Sequence, residues 1–114
     1  MNPASLVGLG GALGAVARHA VYLAVKRGAD VPRGTLTVNV VGSFVLGWLT
    51  FSGIGGKAMT FLWTGACGAF TTFSSFSFET FQLLERGERS KAILNGSVNL
   101  VGALGAVVLG ALVA

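Results

Sequence analysis

The feature that most constrains this chain is its division into four long apolar stretches, residues 4–25, 35–51, 59–84 and 92–114, separated by three short loops. A helix needs about 20 residues to cross a bilayer, with about 17 to 25 tolerated. All four stretches qualify, and the second is the shortest. The loops, KRGADVPRG, SGIGGKA and ERGERSK, leave no room for a water-soluble domain. The sequence therefore predicts an all-α integral membrane protein, with residues 1–114 forming a single four-span membrane domain. Composition agrees, since 11% of residues are charged where a soluble domain carries about 25%. No cleaved leader is expected, because the first stretch lacks a basic n-region and runs on into a basic loop.

Several chemistries lack the residues they require. The single cysteine, Cys67, excludes an intrachain disulfide framework and lies in an apolar run, where a buried, inert thiol is expected. One histidine and four acids leave almost nothing for a zinc site or a hydrolytic triad. The chain is not expected to be an enzyme. The net charge of +4 does not imply nucleic acid, because the basic residues sit in loops rather than on a soluble face. Lys26, Arg27, Arg33, Arg86, Arg89 and Lys91 fall in the first and third loops, and only Lys57 falls in the second. Basic loops face the cytoplasm. That places both termini outside the cell, with the chain a multi-pass protein of the plasma membrane.

Small residues recur at helical spacing inside the spans. Gly10 and Gly14 form GxxxG, and Ala106 and Gly110 repeat the pattern in the fourth stretch. Such pairs let helix backbones approach closely in lipid. Four helices of this length enclose little volume, so an oligomer is expected rather than a roomy monomeric pore.

Polar residues at membrane depth are costly and are functional candidates by default. In the first span Gly10, Gly14 and Arg18 share a face, with Arg18 toward the cytoplasmic end. Arg18 either snorkels to the interface or forms an electropositive entrance for an anion. The second span carries Asn39 and Ser43 four residues apart. They serve either as glue between helices or as donors to a desolvated anion. In the third, Thr72, Ser75, Glu79 and Gln82 make a polar stripe beside Phe73 and Phe76. Just before it, TGACGAFTT gathers Gly65, Gly68 and clustered hydroxyls. A helix broken there would free carbonyl oxygens that a cation can satisfy. An unbroken helix would instead bond its hydroxyls back to the i−4 carbonyls. The fourth span aligns Asn95, Asn99, Gly102, Ala106 and Gly110, with the asparagines either packing or lining a pathway. Amides, hydroxyls and the positive edges of aromatic rings suit a small, strongly hydrated anion. A large or multiply charged one would want arginines.

These residues resemble the small fluoride channels of the Fluc or CrcB family, and the likeness covers nearly the whole chain. GGALGAVARH in the first span is similar to the family's G-G-x-x-G-A-x-x-R. GTLTVNVVGSFVLG is similar to G-T-L-x-V-N-x-x-G-S-F-x-x-G, and GACGAFTTFSSFS to G-x-x-G-G-x-T-T-F-S-T-F. The resemblance implies an antiparallel dimer of four-helix subunits, the third helix broken near mid-membrane, with two fluoride pathways along the subunit interface. It implies that Asn39 is the pore asparagine, that the ring edges of Phe73 and Phe76 face fluoride, and that Ser74 and Ser75 carry the hydroxyl part of the motif. Asn99 falls where the fourth span contributes to the pathway. Gly68 and Thr71 match positions whose carbonyls hold a central structural sodium ion at the dimer interface. Arg18 matches the first-span arginine, at an entrance or in packing, and Glu79 an acidic position of undefined pathway role. Ala69 departs from the family's second glycine, Ser75 from a threonine, and His19 from an aromatic.

The implied function is passive export of cytoplasmic fluoride down its electrochemical gradient. HF enters neutral and ionises in a more alkaline cytoplasm, and a channel for the anion relieves the trapping. The alternative is a proton-coupled exporter of the small multidrug-resistance type, similar in size and span number. Those proteins depend on a first-span glutamate, and this first span has no acid. A third reading, a structural subunit of a larger complex, leaves the pattern of Asn39, Phe73 and Phe76 unexplained. An inverted homodimer usually goes with near-balanced loop charges. The bias here leads to the expectation of an oppositely oriented, oppositely charged paralogue as partner, the homodimer remaining the other option.

Overall fold

A computed structural model describes residues 1–25 and 32–114. Lys26 and Arg27, two of the cations assigned to the basic side, lie outside the described residues. The order is α1 (Pro3–Ala24), α2 (Arg33–Phe51), α3 (Gly56–Met59), a π-helical stretch (Thr60–Cys67), α4 (Gly68–Phe70), α5 (Phe73–Glu85) and α6 (Arg89–Val113). Among the described residues there is no strand.

Local chemistry sets several boundaries. Asn2 caps α1 by accepting from the Ser5 N–H at 2.8 Å, and Pro3 takes the first helical position, where its missing N–H costs nothing. Gly87 ends α5 at φ +77°, in the left-handed region that glycine tolerates. Its N–H bonds the Leu84 carbonyl, and the Glu88 N–H bonds that of Leu83. This is a Schellman ending, and it reverses the chain into α6.

Helices α1, α2 and α6 are each long and apolar enough to cross a membrane. The third apolar stretch is divided. Its helical run stops at Phe70, Thr71 and Thr72 are extended, and α5 starts at Phe73. Neither piece alone reaches spanning length.

Glycines decide which helices touch. A Cβ on Gly10 would overlap the Phe61 carbonyl oxygen, and one on Gly14 that of Ala66. The π-helical stretch is thus seated directly on the backbone of α1. A Cβ on Gly47 would overlap the Val107 carbonyl, and one on Gly110 that of Phe44, so α2 and α6 interlock reciprocally. The register gives direction. Asn39 meets Asn99 and Gly47 meets Val107, so α2 and α6 run parallel. Gly10 meets Phe61 and Arg18 meets Ala69, so α1 runs parallel to the third stretch. Gly42 meets Thr71 while Thr35 meets Glu79, so α2 opposes that stretch. The four segments therefore alternate in direction along the chain.

Few large apolar side chains are buried, Val38, Leu49 and Leu83 among them, while Leu23, Val16 and Leu112 are 75%, 69% and 76% exposed. Water would penalise so much exposed apolar area. Lipid does not, and in lipid the requirement shifts to satisfying polar groups inside the protein.

Candidate functional site

The interruption at Thr71 and Thr72 releases backbone groups that must find partners. Asn39 of α2 supplies two of them. Its Oδ1 accepts from the Thr72 N–H at 2.8 Å, and its Nδ2 donates to the Thr72 carbonyl at 3.1 Å. Arg18 of α1 supplies a third, donating from Nη1 to the Ala69 carbonyl at 3.1 Å. The Thr71 N–H and hydroxyl both donate to the Cys67 carbonyl, each at 3.1 Å. The Thr72 hydroxyl caps α5 by accepting from the Ser75 N–H at 3.2 Å. Among the described residues no hydrogen bond reaches the carbonyls of Gly68, Phe70 or Thr71.

A line of amides leads away from this point. Asn39 Nδ2 also donates to Asn99 Oδ1 at 3.3 Å. Asn99 Nδ2 donates to the Asn95 carbonyl at 2.8 Å and to Asn95 Oδ1 at 3.0 Å. Asn95 Nδ2 donates to Thr80 Oγ1 at 2.8 Å, and that hydroxyl donates to the Phe76 carbonyl at 2.8 Å. Asn95 and Asn99 are buried. The seam joins α2, α6 and α5 with neutral groups throughout.

The polar stripe of α5 turns inward. Thr72 is buried, and Ser75, Glu79 and Gln82 are half-buried, whereas Phe73, Phe78, Phe81 and Leu84 are exposed. Phe73 is 79% exposed. Its ring centroid lies 6.0 Å from that of the half-buried Phe76, with the planes tilted by 47°. Ser74 is exposed, its hydroxyl 3.5 Å from that of Thr72.

The structure therefore gathers Arg18, Asn39, Thr71 and Asn99 around the interruption, with Phe73 and Phe76 on the turn that follows. Both amide hydrogens of Asn39 are engaged in this single chain, so donation to an anion requires one of them to exchange partners. Arg18 satisfies a backbone carbonyl within the chain, a contact that neither snorkelling nor an open entrance describes and that is compatible with the packing alternative. Glu79 sits apart, accepting from the buried Thr35 hydroxyl, which also contacts the Tyr22 hydroxyl at 3.0 Å. Sequence reading missed Thr35 and Tyr22, although spacing signalled both. Tyr22 continues the Gly10, Gly14, Arg18 face by one turn, and Thr35 stands one turn before Asn39.

A helical membrane chain whose buried amides, hydroxyls and freed carbonyls converge on one interrupted segment has the make-up of an ion-handling membrane protein. Residues 5–111 match the family described as CrcB-like protein, Camphor Resistance (CrcB), and the chain belongs to that family. It is 54% identical over 104 residues to a Haloarcula marismortui protein named fluoride-specific ion channel FluC 2, covering 91% of this chain and 87% of that one. It is 50% identical over 107 residues to fluoride-specific ion channel FluC 1 of Halobacterium salinarum, covering 94% and 89%. It is 44% identical over 116 residues to fluoride-specific ion channel FluC of Methanococcus maripaludis, covering 98% and 95%.

Proposed function

We propose that this chain is a fluoride-selective channel that lets cytoplasmic fluoride leave the cell passively down its electrochemical gradient. The observation that carries the reading is likeness along nearly the whole length to proteins named as fluoride-specific channels. The local chemistry supports it. The residues around the interruption offer amide and hydroxyl donors and aromatic edges, which can replace the hydration of a small anion. Fluoride passes Asn39, Asn99 and the hydroxyls of Ser74 and Ser75, against the rings of Phe73 and Phe76.

The interruption sits near mid-membrane. Asn39 and Gly42, which hold it, lie in the middle of the 19-residue α2. A central sodium ion fits the donor set there. The Gly68 and Thr71 carbonyls have no hydrogen-bond donor among the described residues, and carbonyl oxygens are hard ligands suited to such a cation. The ion would supply charge that organises the freed backbone. Two carbonyls are too few for one ion, and an antiparallel second subunit supplies a matching pair. The basic loops place both termini outside the plasma membrane. The unequal loop charge favours a paralogue as partner. Numbered names such as FluC 2 in Haloarcula marismortui and FluC 1 in Halobacterium salinarum are in keeping with multiple copies.

The test is anion efflux from proteoliposomes containing the chain with its partner. Rapid fluoride loss with negligible chloride loss is expected. No fluoride loss from a well-folded dimer overturns the reading.

A further inference from the structure

We propose that Tyr22, acting through Thr35, is a positioning residue that orients the Glu79 carboxylate at the basic end of the molecule. Its effect on flux rests on the channel reading above, whereas the orientation itself does not.

The geometry starts from a glycine. A Cβ on Gly34 would overlap Cδ1 and Cε1 of the Tyr22 ring, so the ring lies directly on the first turn of α2. This seat brings the phenol oxygen to 3.0 Å from Thr35 Oγ1. Thr35 is 1% exposed, which leaves its hydroxyl to find partners within the protein. That hydroxyl has one proton, and it donates to Glu79 Oε1 at 2.5 Å. In that bond the carboxylate oxygen accepts, so the proton between them is the Thr35 hydroxyl's. With its proton committed, Thr35 must accept from tyrosine. The chain therefore has a direction, from the Tyr22 O–H to the Thr35 hydroxyl to Glu79 Oε1.

Three elements thus fix one carboxylate oxygen, and each bond polarises the next. Phenylalanine at Tyr22 would keep the ring on Gly34 and lose only the donor. The Thr35 hydroxyl would then be a weaker donor, free to rotate, and Glu79 would lose a fixed orientation. Simple packing of α1 on α2 would depend on the ring alone and be indifferent to the phenol oxygen.

The experiment uses the full chain in its native assembly. Difference infrared spectra between the protein and its E79Q variant isolate the Glu79 carboxylate bands, with or without conduction. Y22F and T35V are expected to move and broaden those bands, and T35S to restore the parent position. In proteoliposomes Y22F should lower fluoride efflux about two- to tenfold, the range one hydrogen bond supplies, and add nothing in an E79Q background. Glu79 bands unmoved by Y22F overturn the proposal, as does an equal flux loss with and without Glu79. If the parent protein passes no fluoride, the channel reading fails, while the infrared bands still decide the orientation.

Discussion

The Asn39 side chain pairs with Thr72 as one peptide group pairs with another, accepting from its N–H at 2.8 Å and donating to its carbonyl at 3.1 Å. Replacing Asn39 with leucine orphans both groups at a part-buried site. Each unsatisfied group costs about 1–3 kcal/mol. Asn39→Leu should therefore lower the thermal midpoint in detergent and abolish fluoride efflux while leaving assembly unchanged. Asn39→Asp retains the acceptor side alone and should fall between. A leucine variant as stable and as conductive as the parent would mean that the pairing does not hold the interruption.

Phe73 gives a cleaner separation of stability from flux. At 79% exposed it contributes little to the fold of one chain, and surface changes usually stay within about 0.5 kcal/mol. Isoleucine at Phe73 or Phe76 should cut fluoride efflux at least about tenfold, because an aliphatic chain has no positive ring edge to offer. Gel filtration should show unchanged assembly. Near-normal flux in both variants removes the rings from the pathway.

Arg18 is expected to act on the fold first. Its guanidinium satisfies the Ala69 carbonyl across 51 positions of sequence. Arg18→Gln should destabilise by about 1–3 kcal/mol through the carbonyl left unpaired, read as a lower thermal midpoint. Lysine keeps a cation with N–H donors, on a slightly shorter side chain without the planar fork, and should recover part of the loss.

Glycine substitutions should divide by their surroundings. An alanine at Gly14 meets the Ala66 backbone and one at Gly47 meets Val107. Backbone yields poorly, so each should cost about 1–3 kcal/mol and reduce the folded yield. Gly105, with nothing within 4 Å of an added Cβ, should accept alanine in the single chain. Thermal midpoints of the three variants make the comparison.

Loop charge predicts one orientation. Six cations lie in the first and third loops and one in the second, and basic loops stay cytoplasmic. Cysteine accessibility mapping of the chain expressed alone should find both termini outside. Similar amounts of both orientations would favour the homodimer.

Much of the architecture was legible because membrane folding is governed by local rules. Span length, apolar content and the Gly10–Gly14 and Ala106–Gly110 spacings can be read one segment at a time. The inward polar stripe of α5 was legible for the same reason, since helical periodicity alone places Thr72, Ser75, Glu79 and Gln82 on one side. The partners of those residues were not legible. Arg18 could have faced lipid headgroups or protein, and only packing against residues 60–70 brings it to the Ala69 carbonyl. Residues 68–70, included with the break when read from composition, are helical, and the extended backbone is confined to Thr71 and Thr72.

By itself the sequence determined that this chain has four apolar segments, which residues share a helical face, and which loops carry the charge. Each follows from spacing along one segment. The tertiary structure decided what each polar group bonds to. Asn39 acquires the backbone of Thr72 and the amide of Asn99 from partners 33 and 60 positions away. Glu79 acquires Thr35, and through it Tyr22, from two other helices. In lipid a polar group must be satisfied from within the protein, and which group satisfies it is fixed only when the helices meet.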